Sequence, residues 1–174
     1  MFQRHRFVLL LGASLVAALA WAAFAAPRDL LLYNHSPSVP EGFYLRTSAP
    51  VTIGAFVTVR ARDVAPEEAH RRRFENASDR FIKRVAAGAG ARVCGDGQQV
   101  TISDDDGSGV RRNAAVRILR DDRRRDHRAP VGWRGCRILN ADEVLLLGDT
   151  PDSFDGRYWG PINVRLIEGV WRKL

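Results

Sequence analysis

The N-terminal segment constrains the fold and location of this chain more than any other part of the sequence. Basic residues occupy positions 4–6, and an uncharged run rich in leucine, alanine and valine follows over residues 7–26. About twenty residues of helix extend about 30 Å, which matches the hydrocarbon thickness of a bilayer. Because basic residues stay on the cytoplasmic side of a span, the sequence predicts a cytoplasmic N-terminus over residues 1–6, a transmembrane anchor over residues 7–26 and an exported domain over residues 27–174.

A cleaved secretory signal is the alternative interpretation of this segment. The alanines at positions 23, 25 and 26 have the spacing of a cleavage site. The apolar run is longer than the usual core of a signal peptide, and Trp21 stands near its far end, where an indole ring favours the membrane interface. The uncleaved anchor is therefore favoured, and both interpretations export the domain.

Export determines how the two cysteines, Cys94 and Cys136, are interpreted. In an oxidising compartment they are expected to form a disulfide, which would close a loop of about forty residues and contribute a few kcal/mol to stability. The chain has no CxxC motif, and its four histidines lack the spacing of metal ligands. No metal site is therefore predicted.

The chain carries a net charge of +7, and many of its arginines lie in two clusters, the first over residues 71–73. The second cluster, over residues 120–128, alternates with aspartates and so partly neutralises itself. Neither cluster is interleaved with aromatic residues of the kind that stack on bases. Solvated loops near a membrane surface are the favoured interpretation, and nucleic acid is not expected as a partner.

Short apolar segments separated by glycine, proline and aspartate predict a mostly β domain. A short helix is expected within residues 65–79, beginning near Pro66, and loops are expected over residues 103–109 and through the arginine–aspartate stretch up to Gly132. Strands are expected over residues 30–33, 43–45, 51–59, 81–87, 92–94, 99–102, 114–119, 143–147 and 164–171.

A turn over residues 34–42 holds two serines, Ser36 and Ser38, two positions apart. Pro37 and Pro40 restrict its backbone, because proline fixes φ. A rigid turn can hold one hydroxyl in a set direction, which suits a nucleophile. Taken alone, the composition is more typical of an ordinary surface turn.

Lys83 stands between apolar neighbours in the predicted strand over residues 81–87. The two-residue period of a strand places it on the same face as Phe81 and Val85. Burial on that face would lower the lysine pKa, and a neutral lysine can accept a proton from a serine. The alternative is a lysine at a strand end whose amine reaches solvent.

The segment over residues 148–160 follows a predicted strand and is dense in aspartate, glycine and proline. Taken alone, it is typical of a surface loop. Its aspartates at positions 149, 152 and 155 stand three apart, whereas calcium loops of the EF-hand type use alternate positions and a later glutamate. Calcium is therefore not predicted here.

Together these three segments resemble the serine–lysine signal peptidases, in particular the TraF-like peptidases of conjugative transfer. In that family the nucleophile lies in N-x-S-x-S-x-P-x-G, the base in K-R-V-A-G-x-P-G-D, and the final box reads G-D-x-x-x-S-x-D-S-R-x-W-G. The chain departs from these patterns at Ala89, Ala91 and Gly156, where the family has proline, aspartate and serine. The matching positions, in the family's order, are Asn34, Ser36, Ser38, Pro40, Gly42, Lys83, Arg84, Val85, Ala86, Gly90, Gly148, Asp149, Ser153, Asp155, Arg157, Trp159 and Gly160.

The resemblance implies that Ser38 is the nucleophile and Lys83 its general base. The Ser38 N–H and the Ser36 hydroxyl would form the oxyanion hole, and the position of Ser38 relative to the proline and glycine of the motif favours it over Ser36 as nucleophile. A Ser-His-Asp triad is the rival enzyme interpretation. His35 is too close to both serines in sequence to serve easily as their base, and the other histidines lie in polar segments.

The resemblance also implies that Ser153 orients the lysine amine and that Asp155 and Arg157 support the site as an ion pair. The implied fold is the mostly β core of signal peptidases with an N-terminal transmembrane helix, without cofactor or metal. The expected location is the inner membrane, with the catalytic domain on the periplasmic side.

The expected partners are membrane lipid and exported precursor proteins with small residues before the cut, conjugative pilin subunits above all. Some relatives join the ends of the pilin into a ring, and both hydrolysis and cyclisation stay open. Two further functions stay open as well. One is a general signal peptidase for secreted preproteins, and the other is a non-catalytic exported β-domain that binds a partner through its basic loops.

Overall fold

The computed structural model of the chain describes residues 29–74, 76, 79–105, 111–117 and 131–174, together with positions 12, 14 and 16. Its contacts divide the chain into two compact units, Met1–Leu30 and Leu31–Leu174. The three described positions early in the first unit are helical, and the rest of the predicted anchor lies outside the described residues. Within the described part of the chain, no helix has the length and apolar character that a membrane span requires.

The prediction of a mostly β domain is confirmed in the second unit. Its described helices are α1 (Ala61–Val64), α2 (Pro66–Arg72) and α3 (Gly156–Trp159), and a 3-10 turn covers Val164–Leu166. The described strands are β1 (Leu31–Asn34), β2 (Gly42–Thr47), β3 (Phe56–Arg60), β4 (Arg80–Ala87), β5 (Arg92–Asp96), β6 (Gln99–Asp105), β7 (Arg111–Arg117), β8 (Arg134–Ile138), β9 (Glu143–Leu147), β10 (Ile162–Asn163) and β11 (Ile167–Lys173).

These strands form two sheets. The larger has the order β1-β2-β11-β3-β4-β9-β10, and the smaller has the order β7-β6-β5-β8. The last strand, β11, lies between β2 and β3 and pairs antiparallel with both. Because β4 and β9 are neighbours, the strand that carries Lys83 lies beside the strand that leads into residues 148–160.

Strand β9 is buried on both faces. Leu145 and Leu147 belong to an apolar cluster with residues of β5 and β6, whereas Val144 and Leu146 belong to a second cluster with residues of β3 and β4. A continuous apolar run is typical of a strand covered on both sides. The loop that follows β9 therefore starts from a fixed position in the core.

Two local differences from the sequence prediction occur before Lys83. The predicted strand over residues 51–59 begins only at Phe56, because Ile53 and Gly54 form a turn in which Gly54 has a φ of 88°. Helix α1 follows β3 directly and was not predicted, whereas α2 begins at Pro66 as expected.

Further differences occur in the smaller sheet and near the C-terminus. Residues 103–105, predicted as loop, continue β6, because its pairing with β7 extends to Asp105 opposite Arg111. Strand β8 was not predicted, since its residues are all exposed and show no apolar alternation. The last predicted strand begins only at Ile167, after the 3-10 turn. Most of the loop predicted before Gly132 lies outside the described residues.

Candidate active site

The turn that carries the two serines connects β1 to β2, with Asn34 paired opposite Gly42. The buried side chain of Asn34 fixes this turn from inside. Its Oδ1 accepts the Ser36 N–H at 3.1 Å, and its Nδ2 donates to the carbonyls of Ser36 at 2.8 Å and Val39 at 3.1 Å. Sequence reasoning attributed the rigidity of this turn to its prolines and overlooked the side-chain amide of Asn34. An asparagine at the start of a turn often forms such hydrogen bonds with the backbone.

Contacts outside the turn fix it further. Val39 is fully buried in an apolar cluster that also contains Tyr44. The Tyr44 hydroxyl donates to the Pro40 carbonyl at 2.5 Å, and the Asp149 N–H donates to the Ser38 carbonyl at 2.6 Å. The Ser38 backbone is therefore held both by its own hairpin and by the loop after β9.

Lys83 reaches the turn from β4, and its side chain is 3% exposed. Its Nζ lies 2.9 Å from Ser38 Oγ and 3.0 Å from Ser153 Oγ. It lies opposite Val57 of β3, and its amine is 5.9 Å from the centre of the Phe81 ring. The structure thus brings together Ser38, Lys83 and Ser153, the three side chains that the family pattern selects.

Burial lowers the pKa of Lys83 from 10.5 to about 8. Desolvation is the main cause, because it penalises the charged ammonium. Nearby Asp155 acts in the opposite direction, and Arg157 lowers the pKa further. About one amine in ten is then neutral at pH 7, whereas an ordinary lysine amine is almost fully protonated there.

Ser36 lies on the exposed side of Ser38. Its hydroxyl donates to Ser38 Oγ at 3.1 Å, and its Oγ accepts the Ser38 N–H at 3.3 Å. Ser38 Oγ is therefore contacted by the hydroxyl of exposed Ser36 and by the amine of buried Lys83, while the Ser38 N–H bonds to Ser36.

Asp155 and Arg157 form an ion pair that is fully buried. The guanidinium donates to both carboxylate oxygens, Nε to Oδ1 at 2.8 Å and Nη2 to Oδ2 at 2.5 Å. It also donates to the carbonyls of Thr150 and Pro151 at 2.7 Å, while Asp155 Oδ2 accepts the Gly148 N–H at 2.6 Å. A buried pair with so many of its polar atoms bonded holds this loop in one conformation.

Two glycines of the same loop have no room for a side chain. A Cβ on Gly148 would lie 2.6 Å from Ser153 Cβ and 2.7 Å from the Ser38 carbonyl oxygen. A Cβ on Gly156 would lie 2.6 Å from the Leu146 carbonyl oxygen. The departure from the family's serine at position 156 therefore accompanies a close approach of the loop to β9.

A half-exposed ion pair borders the site, and sequence reasoning assigned no role to either member. Arg84 donates to Asp149 through Nε at 2.9 Å and Nη2 at 2.7 Å. This contact lowers the pKa of the Asp149 carboxyl, and the guanidinium also lies 4.2 Å from the centre of the Phe56 ring. Since the Asp149 N–H bonds to Ser38, the pair links β4 to the backbone of the serine turn.

The remaining predicted site residues lie elsewhere. Cys94 and Cys136 form a disulfide between β5 and β8 of the smaller sheet. The ring of His35, the rival base, is exposed and packs edge-on against Tyr33 at 4.5 Å. Among the described residues, no group of three or more histidines, cysteines and acidic residues is placed to hold a metal ion.

A serine hydroxyl on a rigid turn, within hydrogen-bonding distance of a buried lysine amine, is the arrangement of a serine–lysine dyad. The chain matches the family described as signal peptidase, peptidase S26, over residues 3–173. It therefore belongs to the peptidase S26 signal peptidase family.

Two curated relatives are both described as plasmid transfer protein TraF from Escherichia coli. One is 31% identical over 191 residues, covering 98% of this chain and 96% of the relative. The other is 33% identical over 170 residues, covering 90% and 88%. Among solved structures, a signal peptidase I from Enterococcus faecalis V583 is 16% identical and covers 71% of this chain and 98% of its own, with a TM-score of 0.38.

Proposed function

We propose that this protein is a membrane-anchored serine endopeptidase that cleaves exported precursor proteins, with a conjugative pilin subunit as its substrate. The observation that carries the proposal is the buried amine of Lys83, 2.9 Å from Ser38 Oγ and 3.0 Å from Ser153 Oγ. Membership of the signal peptidase family supports the precursor substrate. The two relatives named for plasmid transfer support the link to conjugation.

Acylation begins when neutral Lys83 accepts the proton of the Ser38 hydroxyl while that oxygen bonds to the scissile carbonyl carbon. The Ser36 hydroxyl, which donates to Ser38 Oγ in the resting site, rotates to donate to the new oxyanion beside the Ser38 N–H, and such donors contribute about 3 kcal/mol each. Collapse of the intermediate breaks the C–N bond. The Lys83 ammonium then gives its proton to the leaving amine, and the substrate stays as an ester on Ser38.

Deacylation reverses these roles. Water gives a proton to Lys83 as its oxygen attacks the ester, and Ser38 recovers its proton when the acid leaves. An amine from the other end of the same substrate can attack in place of water, and the product is then a cyclic amide. Linear and cyclic products differ by the mass of one water, so mass spectrometry of the product distinguishes the two.

The N-terminal run over residues 7–26 and the family support the proposed location. We place the anchor in the inner membrane and the domain on its periplasmic side, where the disulfide between Cys94 and Cys136 is stable. Carbonate washing of membranes tests this location. Release of the full-length protein by the wash would contradict the anchor.

Processing of a co-expressed pilin precursor, with the neighbouring transfer proteins supplied, tests the dyad. The wild-type protein is expected to process the precursor, whereas Ser38→Ala and Lys83→Ala leave it intact. Ser48→Ala and Lys173→Ala are the matched controls at exposed positions, and both should process normally. Processing by either dyad variant would overturn the mechanism.

The same assay separates the other functions. A non-catalytic binding domain would leave the precursor intact even in the wild type. A general signal peptidase would also cleave an unrelated secreted preprotein supplied in place of the pilin, and cleavage of both substrates would contradict the narrower substrate proposed here.

A further inference from the structure

A tryptophan outside the three family segments connects the smaller sheet to the loop that holds Ser153. Trp133 directly precedes β8 and is half-buried. Its ring packs against the apolar cluster that includes Val93 of β5 and Leu145 of β9. It thus lies where the smaller sheet meets the larger one.

Three glycines leave the space that the indole ring occupies. A Cβ on Gly95 of β5 would lie 2.5 Å from ring atom Cε3, and a Cβ on Gly135 of β8 would lie 2.9 Å from Cζ2. A Cβ on Gly160, which follows α3, would lie 2.7 Å from Cδ1. The six-membered ring therefore faces the smaller sheet, and the pyrrole edge faces the loop of the candidate active site.

The main chain of Trp133 bonds in the same two directions. Its N–H donates to the Arg157 carbonyl at 2.8 Å, and its carbonyl accepts the Gly97 N–H at 3.1 Å. Gly97 belongs to the turn between β5 and β6. One residue is thus hydrogen-bonded both to the smaller sheet and to the buried arginine behind the dyad.

The contacts continue from Arg157 to the reacting groups. Its guanidinium holds Asp155, which accepts the Gly148 N–H, and the next residue, Asp149, donates its N–H to the Ser38 carbonyl. The same loop carries Ser153, whose hydroxyl contacts the Lys83 amine. A displacement of Arg157 would therefore reach both members of the dyad.

We propose that Trp133 is a positioning residue for the Ser38–Lys83 dyad, which it aligns by holding the Arg157–Asp155 pair against the smaller sheet. The inference rests on the proposed peptidase function. Loss of the ring would leave a void between the sheet and the loop, into which the loop can relax. A misplacement of about 1 Å at a reacting centre can lower the rate about a hundredfold, so the effect falls on turnover.

Kinetics of the full-length protein in detergent, with a fluorogenic peptide that carries alanines before the cut, test this role. Trp133→Ala is expected to lower kcat about tenfold to a hundredfold and to change KM by less than about twofold, because the lost alignment matters in the transition state. Trp133→Phe, which keeps part of the ring, should give an intermediate loss.

The pH profile of kcat/KM supplies a readout that a purely structural role would not move. In Trp133→Ala, water reaching the amine would relieve its desolvation, so the acidic limb should shift to higher pH. The variant keeps the charged residues that act on this amine, and only their positions and the access of water change; these residues are Asp155, Arg157, Asp149 and Asp152.

Ile102→Ala is the matched control. Ile102 is buried on β6 in the cluster against which Trp133 packs, so its truncation destabilises the smaller sheet while every residue of the loop and the Trp133 ring itself are kept. At a temperature where circular dichroism shows both variants folded, the control should keep the wild-type kcat and the wild-type position of the acidic limb in the pH profile of kcat/KM. A shift of the same size in the control would overturn the proposal, because destabilisation of the sheet would then be enough.

Gly95→Ala tests the contact from the opposite side. Its Cβ would lie 2.5 Å from the Trp133 ring and 2.6 Å from the Trp133 carbonyl oxygen, so it would displace the whole residue and should reproduce the lower kcat. If Trp133→Ala does not fold, Gly95→Ala and Trp133→Phe together test the positioning role in its place. If the folded variants keep the wild-type kcat and the wild-type position of the acidic limb in the pH profile of kcat/KM, the positioning role is overturned. Cleavage by Ser38→Ala would instead overturn the proposed function, so the two failures are distinguishable.

Discussion

At the scale of single residues, the buried amine of Lys83 should make the proposed activity depend on pH. Its pKa of about 8 lies below the ordinary value of 10.5 because of desolvation. Only the neutral amine can take the Ser38 proton, so kcat/KM is expected to rise with pH and to level off above about pH 8. A pH profile of kcat/KM measured with the alanine-containing peptide checks this. An acidic limb near pH 10.5, the ordinary pKa of a lysine, would contradict it.

The same burial lowers stability. The unfolded chain binds more protons than the native state between pH 8 and 10.5, so this group makes the free energy of unfolding rise over that range. Below pH 8 the full penalty of about 3 kcal/mol is present. Lys83→Met removes this penalty but also removes the hydrogen bonds of the amine, which offset part of the gain. The free energy of unfolding at pH 7 should therefore rise by about 1–3 kcal/mol.

Urea unfolding at pH 7 and pH 10 checks this expectation, with the exposed Lys173→Met as the control. The gain should be smaller at pH 10, where the wild-type amine is already largely neutral. An equal gain at both pH values would contradict a pH-linked cause.

Ser153 provides the second oxygen contacting the Lys83 amine, at 3.0 Å. Ser153→Ala removes it and leaves the amine less well oriented toward Ser38. Loss of one such bond in the transition state corresponds to about a tenfold decrease in kcat. The melting temperature should change little, and an unchanged kcat would show that Ser38 alone orients the amine.

At the scale of elements, the close approach of the loop after β9 to the serine turn depends on Gly148. A Cβ there would lie 2.7 Å from the Ser38 carbonyl oxygen and 2.6 Å from Ser153 Cβ, so both groups must move. Gly148→Ala is expected to lower kcat at least tenfold and to lower stability by about 1–3 kcal/mol.

Gly88→Ala is the matched control in a loop, since a Cβ at that position meets no atom within 4 Å. It should keep wild-type kcat and stability. Equal losses in the two variants would show that the contact with Ser38 is not the cause.

At the scale of the whole molecule, the smaller sheet is held by a covalent bond as well as by its core. The disulfide joins β5 to β8 across a sequence separation of 42 residues. In the chain-entropy account, a loop of this length contributes about 4 kcal/mol. The double variant Cys94→Ser/Cys136→Ser should therefore unfold at lower urea concentration than the oxidised wild type, and reduction of the wild type should have the same effect.

Equal unfolding midpoints for the oxidised, reduced and substituted proteins would contradict this. Reduction of the double variant itself is the internal control, since it has no disulfide to lose.

The sequence alone determined the class of fold and the segments of the site. Alternation and turn residues are local signals, so most strand positions were predictable, and the continuous apolar run of β9 gave that strand its observed bounds, Glu143–Leu147. Local signals failed where a strand is exposed on all its residues, as in β8, or where a turn interrupts an apolar stretch, as at Gly54. The family pattern, rather than any one residue, selected Ser38, Lys83 and Ser153.

Only the tertiary structure brought those three side chains together. Lys83 lies 45 residues from Ser38 and 70 from Ser153 in sequence, and their contact depends on the order of strands in the larger sheet. That order includes β11 between β2 and β3, a non-local pairing that the period of a single strand does not encode. The place of Trp133 among three glycines was decided in the same way, because close packing depends on distances between elements and not on the pattern within one.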